Sequence, residues 1–221
     1  MLIFCHVLRG NAIKVSNNQF PDIHNILINQ STKLGLKKVP DLYILQHGGL
    51  LNAFATQFIG NNYIVIYSDI LEEAYSNNID TIEFIIGHEL GHLKRKHMTK
   101  SILLFPSLII PFLGSAYSRA CEYTCDNIGY SLNSKGATSG LLVLASGKKL
   151  WKKVNLETYI KQDNTQYEFW PWFAEKVSSH PNITKRIKRF AIDKNYKMEI
   201  IKENSTNDEK IISDHSAYLP K

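Results

Sequence analysis

The stretch His88-Glu89-Leu90-Gly91-His92 decides the reading of this chain. On a helix, residues four apart stand one above the other, so the imidazoles of His88 and His92 share a face and can grip one ion. Glu89 follows the first of them and can reach a water on that ion. Neutral imidazole nitrogen is a good zinc ligand, and a zinc site that does chemistry needs a third protein ligand and one open position. A shuffled chain would contain this pattern with odds on the order of 1%, and its context lowers them further. Ile85, Ile86, Leu90 and Leu93 give the helix an apolar side that buries it and sets both imidazoles at the edge of a core. The helix is expected to start at Asp80, with Glu83 three positions on as a capping pair, and to run through His97.

Working outward from that helix, the third ligand comes next. The long motif with a further His six positions after the second is excluded, because that position is Met98 and the Gly it requires is Arg95. Downstream, Ser118-Arg119-Ala120-Cys121-Glu122-Tyr123-Thr124-Cys125-Asp126 falls in a helix expected over Tyr117–Leu132. Glu122 and Asp126 share one face of it, with Arg119 one turn before Glu122. Three readings stand side by side. Glu122 is a carboxylate ligand, with Asp126 behind it accepting the N–H of a ligand His. Alternatively the two carboxylates are a solvated acidic face. In the third reading Cys121 and Cys125, also four apart, complete a two-His, two-Cys structural site, which leaves Glu89 without a role. Otherwise these thiols are small buried packing groups.

Alternating and helical periodicities assign the rest. Strands are expected up to Val15 and over Asp41–Gln46, Asn52–Phe58 and Tyr63–Tyr67. Helices are expected over Pro21–Leu34, Asp69–Tyr75, Gly140–Trp151, Leu156–Gln162 and Asn182–Asp193. The fold class is α+β, mainly helical with one small sheet. Nothing in the composition marks a second domain, so residues 1–202 read as one domain and 203–221 as a polar, poorly ordered tail. The aromatic run Phe169-Trp170-Pro171-Trp172-Phe173 is expected in the core, with a substrate groove as the alternative.

Three cysteines in 221 residues cannot build a disulfide framework, and the apolar start ends at His6, too soon for a secretion signal. A reducing, cytoplasmic location is expected. The net charge of +6 is spread over short clusters such as Lys94-Arg95-Lys96 and Lys185-Arg186-Lys188-Arg189, with no nucleic-acid motif around them, so solvated faces are expected and no nucleic-acid partner. Ile102-Leu103-Leu104-Phe105-Pro106-Ser107-Leu108-Ile109-Ile110-Pro111-Phe112-Leu113-Gly114 is shorter than the ~20 residues a spanning helix needs and carries two prolines. It reads either as a buried connector or, over Ile102–Leu113, as a peripheral membrane contact beside Lys94, Arg95, Lys96 and Lys100.

Four stretches together resemble the gluzincin metallopeptidases related to HtpX and to the CAAX prenyl endopeptidases. They are Asn52-Ala53-Phe54-Ala55, His88-Glu89-Leu90-Gly91-His92, Ser118 to Asp126 around Glu122, and Ser179-His180-Pro181 with Arg186. They occur in the family's order. The resemblance implies a zincin-like fold with a mostly antiparallel sheet and an active site on the His-Glu-x-x-His helix. It implies one zinc per chain on His88, His92 and Glu122, with Glu89 as general base. Asp126 and Arg119 are expected behind the ligands. Asn52, Ala53, Phe54 and Ala55 would lie on an edge strand that pairs with an extended substrate, and His180 and Arg186 would meet the substrate carbonyl or the oxyanion. Gly48 to Asn52 offers no carboxylate to hold a free amine, which favours an endopeptidase over an exopeptidase. HtpX-like relatives often carry membrane spans; none is expected before the catalytic domain here, and a cytoplasmic location, with a place at the inner face of the cell membrane, is the expectation. An inactive zinc scaffold and a membrane-associated interaction protein are the alternatives.

Overall fold

The computed structural model describes residues 10–46, 52–58, 60–76, 78–97, 112–163 and 168–191. The expected tail 203–221, residues 1–9 of the expected first strand, the stretch 48–51 and all but the last two residues of Ile102–Leu113 lie outside the described residues, while Gly10 and Asn11, expected as strand, are helical.

Two strands form the middle of the sheet because their side chains are apolar on both faces. In β2 (Asp41–Leu45) Leu42, Tyr43 and Ile44 are buried, and in β4 (Asn61–Tyr67) Tyr63 to Ile66 are buried. Strands covered on both sides read as continuous apolar runs and favour parallel pairing. The two do pair in parallel, Leu42 opposite Ile64 and Ile44 opposite Ile66. The short β1 (Ile13–Lys14) adds antiparallel to β2, and β3 (Ala53–Phe58) adds antiparallel to β4, in the order β1-β2-β4-β3. The sheet is therefore mixed, with an antiparallel strand at each end. Gly60, with φ of 74°, turns the chain between β3 and β4. This topology leaves β3 as an outer strand, half exposed from Ala53 to Thr56.

Helix α1 (Pro21–Lys33) starts at a proline and buries Ile23 and Leu27. After β4 come α2 (Ser68–Ser76) and α3 (Ile79–Lys94). Asn78, not the expected Asp80–Glu83 pair, caps α3, its side chain accepting from the Asp80 amide at 2.9 Å. Asp80 and Glu83 instead receive the Asn133 amide group, at 2.8 and 2.7 Å, and so tie the start of α3 to the end of α4 (Leu113–Leu132). These two helices run antiparallel in close contact, and Gly91 permits it: a Cβ there would stand 3.2 Å from Cys125. On the other side of α3 lies α5 (Gly136–Ser146), where a Cβ on Gly136 would fall 1.9 Å from the Asp80 carbonyl oxygen. Any side chain at that position would force α5 off α3.

The remaining helices are α6 (Leu156–Lys161), α7 (Phe169–Val177) and α8 (Ile183–Ala191). Ile187 and Phe190 of α8 join the core made by Ile23, Ile64, Ile82, Ile86, Leu90 and Leu141. Proline in the first turn is compatible with a helix, and Pro171 sits there in α7. The aromatic run does not enter the core. Trp170 is 75% exposed and Phe169 63% exposed, so the expectation of burial is corrected. No described helix is long and apolar enough to cross a membrane.

Candidate metal centre

The buried side of α3 carries His88 and His92 toward α4, where Glu122 faces them. His88 Nε2 and His92 Nε2 are 3.2 Å apart, Glu122 Oε1 is 3.4 Å from His92 Nε2, and Glu122 Oε2 is 3.6 Å from His88 Nε2. Four-coordinate zinc with bonds of ~2.0–2.1 Å has ligand-to-ligand edges of roughly 3.4 Å, so this donor set fits a zinc ion in both chemistry and spacing. Among the described residues these three form one of two groups whose donor atoms all lie within 4.8 Å of each other. The other group is His92, His97 and Cys125.

The network behind the donors is dry. Asp126 is fully buried, and its Oδ1 lies 3.0 Å from His88 Nδ1. That contact leaves Nε2 of His88 as the nitrogen turned to the donor set. Arg186, 5% exposed, donates from Nε and Nη2 to Asp126 at 2.8 and 2.6 Å, while Nη1 stands 3.2 Å from Glu122 Oε2. Burial pushes the Glu122 carboxyl up, but the hydrogen bond from His92 and the charges of His88 and Arg186 outweigh it and hold it at about 2. Asp126 is likewise raised by burial and pulled down further by His88 and Arg186, to about 2. Burial alone would lower His88, and Asp126 reverses that and raises it. Both carboxylates are thus ionised and able to act as ligand and acceptor.

Glu89 lies beside the donors, 6% exposed, and differs from them in its surroundings. Burial raises its carboxyl, opposed in part by His88, by His92 and by a hydrogen bond from the Ala55 backbone amide on β3. The outer strand and the metal helix therefore meet at this carboxylate. A cleft of about 540 Å³ opens there, lined on one side by Asn52 to Gln57 and on the other by His88, Glu89, His92 and Glu122. His180 reaches its rim, 65% exposed at the side chain, with Nε2 3.9 Å from Glu122 Oε1.

Of the residues singled out from sequence, His88, Glu89, His92, Glu122, Asp126, His180 and Arg186 come together here, with Asn52 to Ala55 alongside. Arg119 does not join them. Its Nη1 donates to the carbonyl oxygens of Glu175, Lys176 and Ser178 at 2.8–2.9 Å, where the end of α7 presents unpaired carbonyls. Arg186, which the resemblance assigned to the substrate, has its donors on Asp126 and Glu122. A two-His, two-Cys site is not formed: Cys125 groups with His92 and His97, apart from His88 and Cys121. Both cysteines are buried thiols, and burial, followed by the charges of Glu122, Glu89 and Asp126, pushes the Cys125 thiol far up. His97 was missed as a site residue. Its only sequence signal is its place five residues after His92, which on a continuous helix would turn it away.

Two imidazoles and a carboxylate around one point, with a buried glutamate and a strand edge beside them, fit what a metallopeptidase requires, and comparison with known proteins points to the same class. The family model described as peptidase family M48 matches residues 17–110 and 103–192. The chain belongs to peptidase family M48, as the resemblance to the HtpX group implies. Among curated relatives, the plastoglobule-localized metallopeptidase 48, chloroplastic, of Arabidopsis thaliana is 27% identical over 191 residues, which cover 78% of this chain and 52% of the relative. The chain spans about half the length of that relative. Membership implies a metal cofactor, in keeping with the donor set described.

Proposed function

We propose that this chain is a zinc-dependent endopeptidase that holds one zinc on His88, His92 and Glu122 and uses Glu89 as its general base. The observation that carries the reading is the convergence of three donors at zinc-like spacing beside a buried carboxylate and a strand edge. Zinc bound there would supply a Lewis acid that polarises a carbonyl and makes water acidic enough to ionise near neutral pH. His88 and His92 would hold it through Nε2. Asp126 accepts the Nδ1 hydrogen of His88 and so fixes its ring. Arg186 pairs with both buried carboxylates from behind.

An extended peptide would pair by its backbone with Asn52, Ala53, Phe54 and Ala55, which orients the scissile bond across the donors. Glu89, raised by burial, accepts a proton from the attacking water on its carboxylate and returns it to the leaving amine. His180 at the rim donates from Nε2 to the carbonyl oxygen as negative charge grows there. The domain proposed to do this is 1–202, with 203–221 as a tail.

The location proposed is cytoplasmic, at the inner face of a membrane, with Ile102–Leu113 as the contact. Two buried cysteines outside any disulfide support a reducing compartment, and the exposed aromatics of α7 support a lipid neighbour. The Arabidopsis relative is named for a different location, the plastoglobules of the chloroplast.

Metal analysis paired with cleavage of a quenched fluorescent casein tests the reading, with chelator and Glu89→Gln as controls. One zinc per chain and cleavage abolished by both is the expected result. One zinc without cleavage would favour the inactive scaffold, and a chain that binds no metal would overturn the proposal.

A further inference from the structure

The two imidazoles proposed to hold zinc are supported differently from behind. His88 has the Asp126 carboxylate on its Nδ1. His92 has another imidazole: His97 Nδ1 stands 3.2 Å from His92 Nδ1, with the rings 5.3 Å apart and at 81° to each other. A continuous helix would not produce this contact, since five residues correspond to about 500° of rotation and put the two side chains on different faces. The chain departs from the helix to make it. Helix α3 ends at Lys94, and Lys96 adopts φ of 54°, the left-handed region that a residue with a Cβ rarely enters. That turn swings His97 back under the helix, where it is 8% exposed. On its other side Cys125 Sγ lies 3.5 Å from the same Nδ1, and Cys125 can approach this closely because residue 91 is glycine.

We propose that His97 is a positioning residue for His92: its Nδ1 accepts the hydrogen of His92 Nδ1, which fixes the tautomer whose Nε2 lone pair faces the metal. The proposal rests on the zinc reading above, because it assigns Nε2 of His92 as a ligand. A neutral imidazole has one hydrogen and one in-plane lone pair, so once Nε2 faces the metal, Nδ1 carries the hydrogen and needs an acceptor. His97 Nδ1 is placed to take it, with the Cys125 thiol hydrogen sharing the same lone pair. The same argument makes the second donor group, His92 with His97 and Cys125, incompatible with the first. A neutral His92 cannot offer lone pairs from both nitrogens. The strained turn at Lys96 thus serves to orient a ligand rather than to build another metal site.

The test compares wild type with His97→Leu, which removes the acceptor, and His97→Asn, whose side-chain oxygen falls near the position of Nδ1. Zinc dissociation constants would be measured by competition with a chromophoric chelator, and thermal unfolding of the zinc-free forms would check folding. His97→Leu should bind zinc roughly 10–100-fold more weakly and His97→Asn should recover part of that loss. In wild type, which keeps the proposal testable if His97→Leu does not fold, nitrogen-15 spectra of the zinc-loaded protein should show the hydrogen on His92 Nδ1. Cobalt in place of zinc should give no thiolate charge-transfer band. Undiminished affinity in a folded His97→Leu, a bare Nδ1 on His92, or a cobalt–thiolate band lost in Cys125→Ala would each overturn the proposal. Absence of zinc from wild type would instead overturn the zinc reading on which it rests.

Discussion

The α3–α4 pair and helix α7 break the usual inside–outside rule in opposite directions. Between them α3 and α4 bury His88, Glu89, Glu122 and Asp126, while α7 exposes Phe169, Trp170 and Trp172. Charge in a dry interior is tolerated only when paired and hydrogen-bonded, and here each group's partner lies on another element, Arg186 reaching Asp126 across 60 residues of chain. Helix α7 is held instead by its backbone. Arg119 takes the carbonyl groups of Glu175 and Lys176 and that of Ser178 just beyond the helix, and Ser115 donates to Val177 O at 3.1 Å, while of the aromatic rings Phe173 packs on Phe112 and Trp170 stands outermost. The first region is thus sensitive to the loss of one charge, and the second is tolerant of the loss of a whole ring.

The largest effect should come from Arg186→Leu. Removing one partner of a buried ionic group leaves Asp126 and Glu122 without their counter-charge and should cost ~3–5 kcal/mol, read as denaturant or thermal unfolding of the zinc-free chain. An unchanged midpoint would mean that the buried carboxylates do not depend on it. Zinc should offset part of that fragility in the wild type, since a ligand of the folded state alone adds ~2.7 kcal/mol at a hundredfold excess over its dissociation constant. Chelation should therefore lower the unfolding temperature, and a midpoint indifferent to zinc would remove the metal from the comparison. Asp126→Asn sharpens the same side, because an amide holds the His88 N–H less firmly. Zinc affinity should fall roughly 10–100-fold, measured against a competing chelator, with the fold kept. The smallest effect is expected in α7: Trp170→Ala should shift stability by no more than ~0.5 kcal/mol. A loss well above that would show that the ring is covered after all and would break the contrast.

How much of this was legible follows from the range of each interaction. The pairing of His88 with His92, and of Glu122 with Asp126, is a matter of one helical turn, so spacing alone found both. The strands β2, β3 and β4 were found with errors of one or two residues, because Leu42 to Leu45 and Tyr63 to Tyr67 are continuous apolar runs, whereas the first strand, expected up to Val15, is strand only at Ile13–Lys14. The parallel pairing of β2 with β4 was not legible, since no local pattern states which strand lies beside which. The fate of the aromatic run was misread because Phe and Trp at helical spacing look the same whether a neighbour covers them or not. Arg119 and Arg186 both make contacts other than those expected of them, for a related reason. A long guanidinium can reach several acceptors, and its choice depends on what the fold brings near: carbonyls at the end of α7 for one, carboxylates for the other.

By itself, then, the sequence determined that His88 and His92 share one helix face with Glu89 between them in the chain, the coarse class of fold and the family resemblance, because each rests on local periodicity or on motifs kept in order. Only the tertiary structure decided that α4 brings Glu122 to within 3.6 Å of both imidazoles, that Arg186 stands behind the carboxylates, and that Lys96 turns His97 back onto His92. Those contacts join residues far apart in the chain, or reverse its local direction, and their positions follow from how the helices pack around the glycines at 91 and 136.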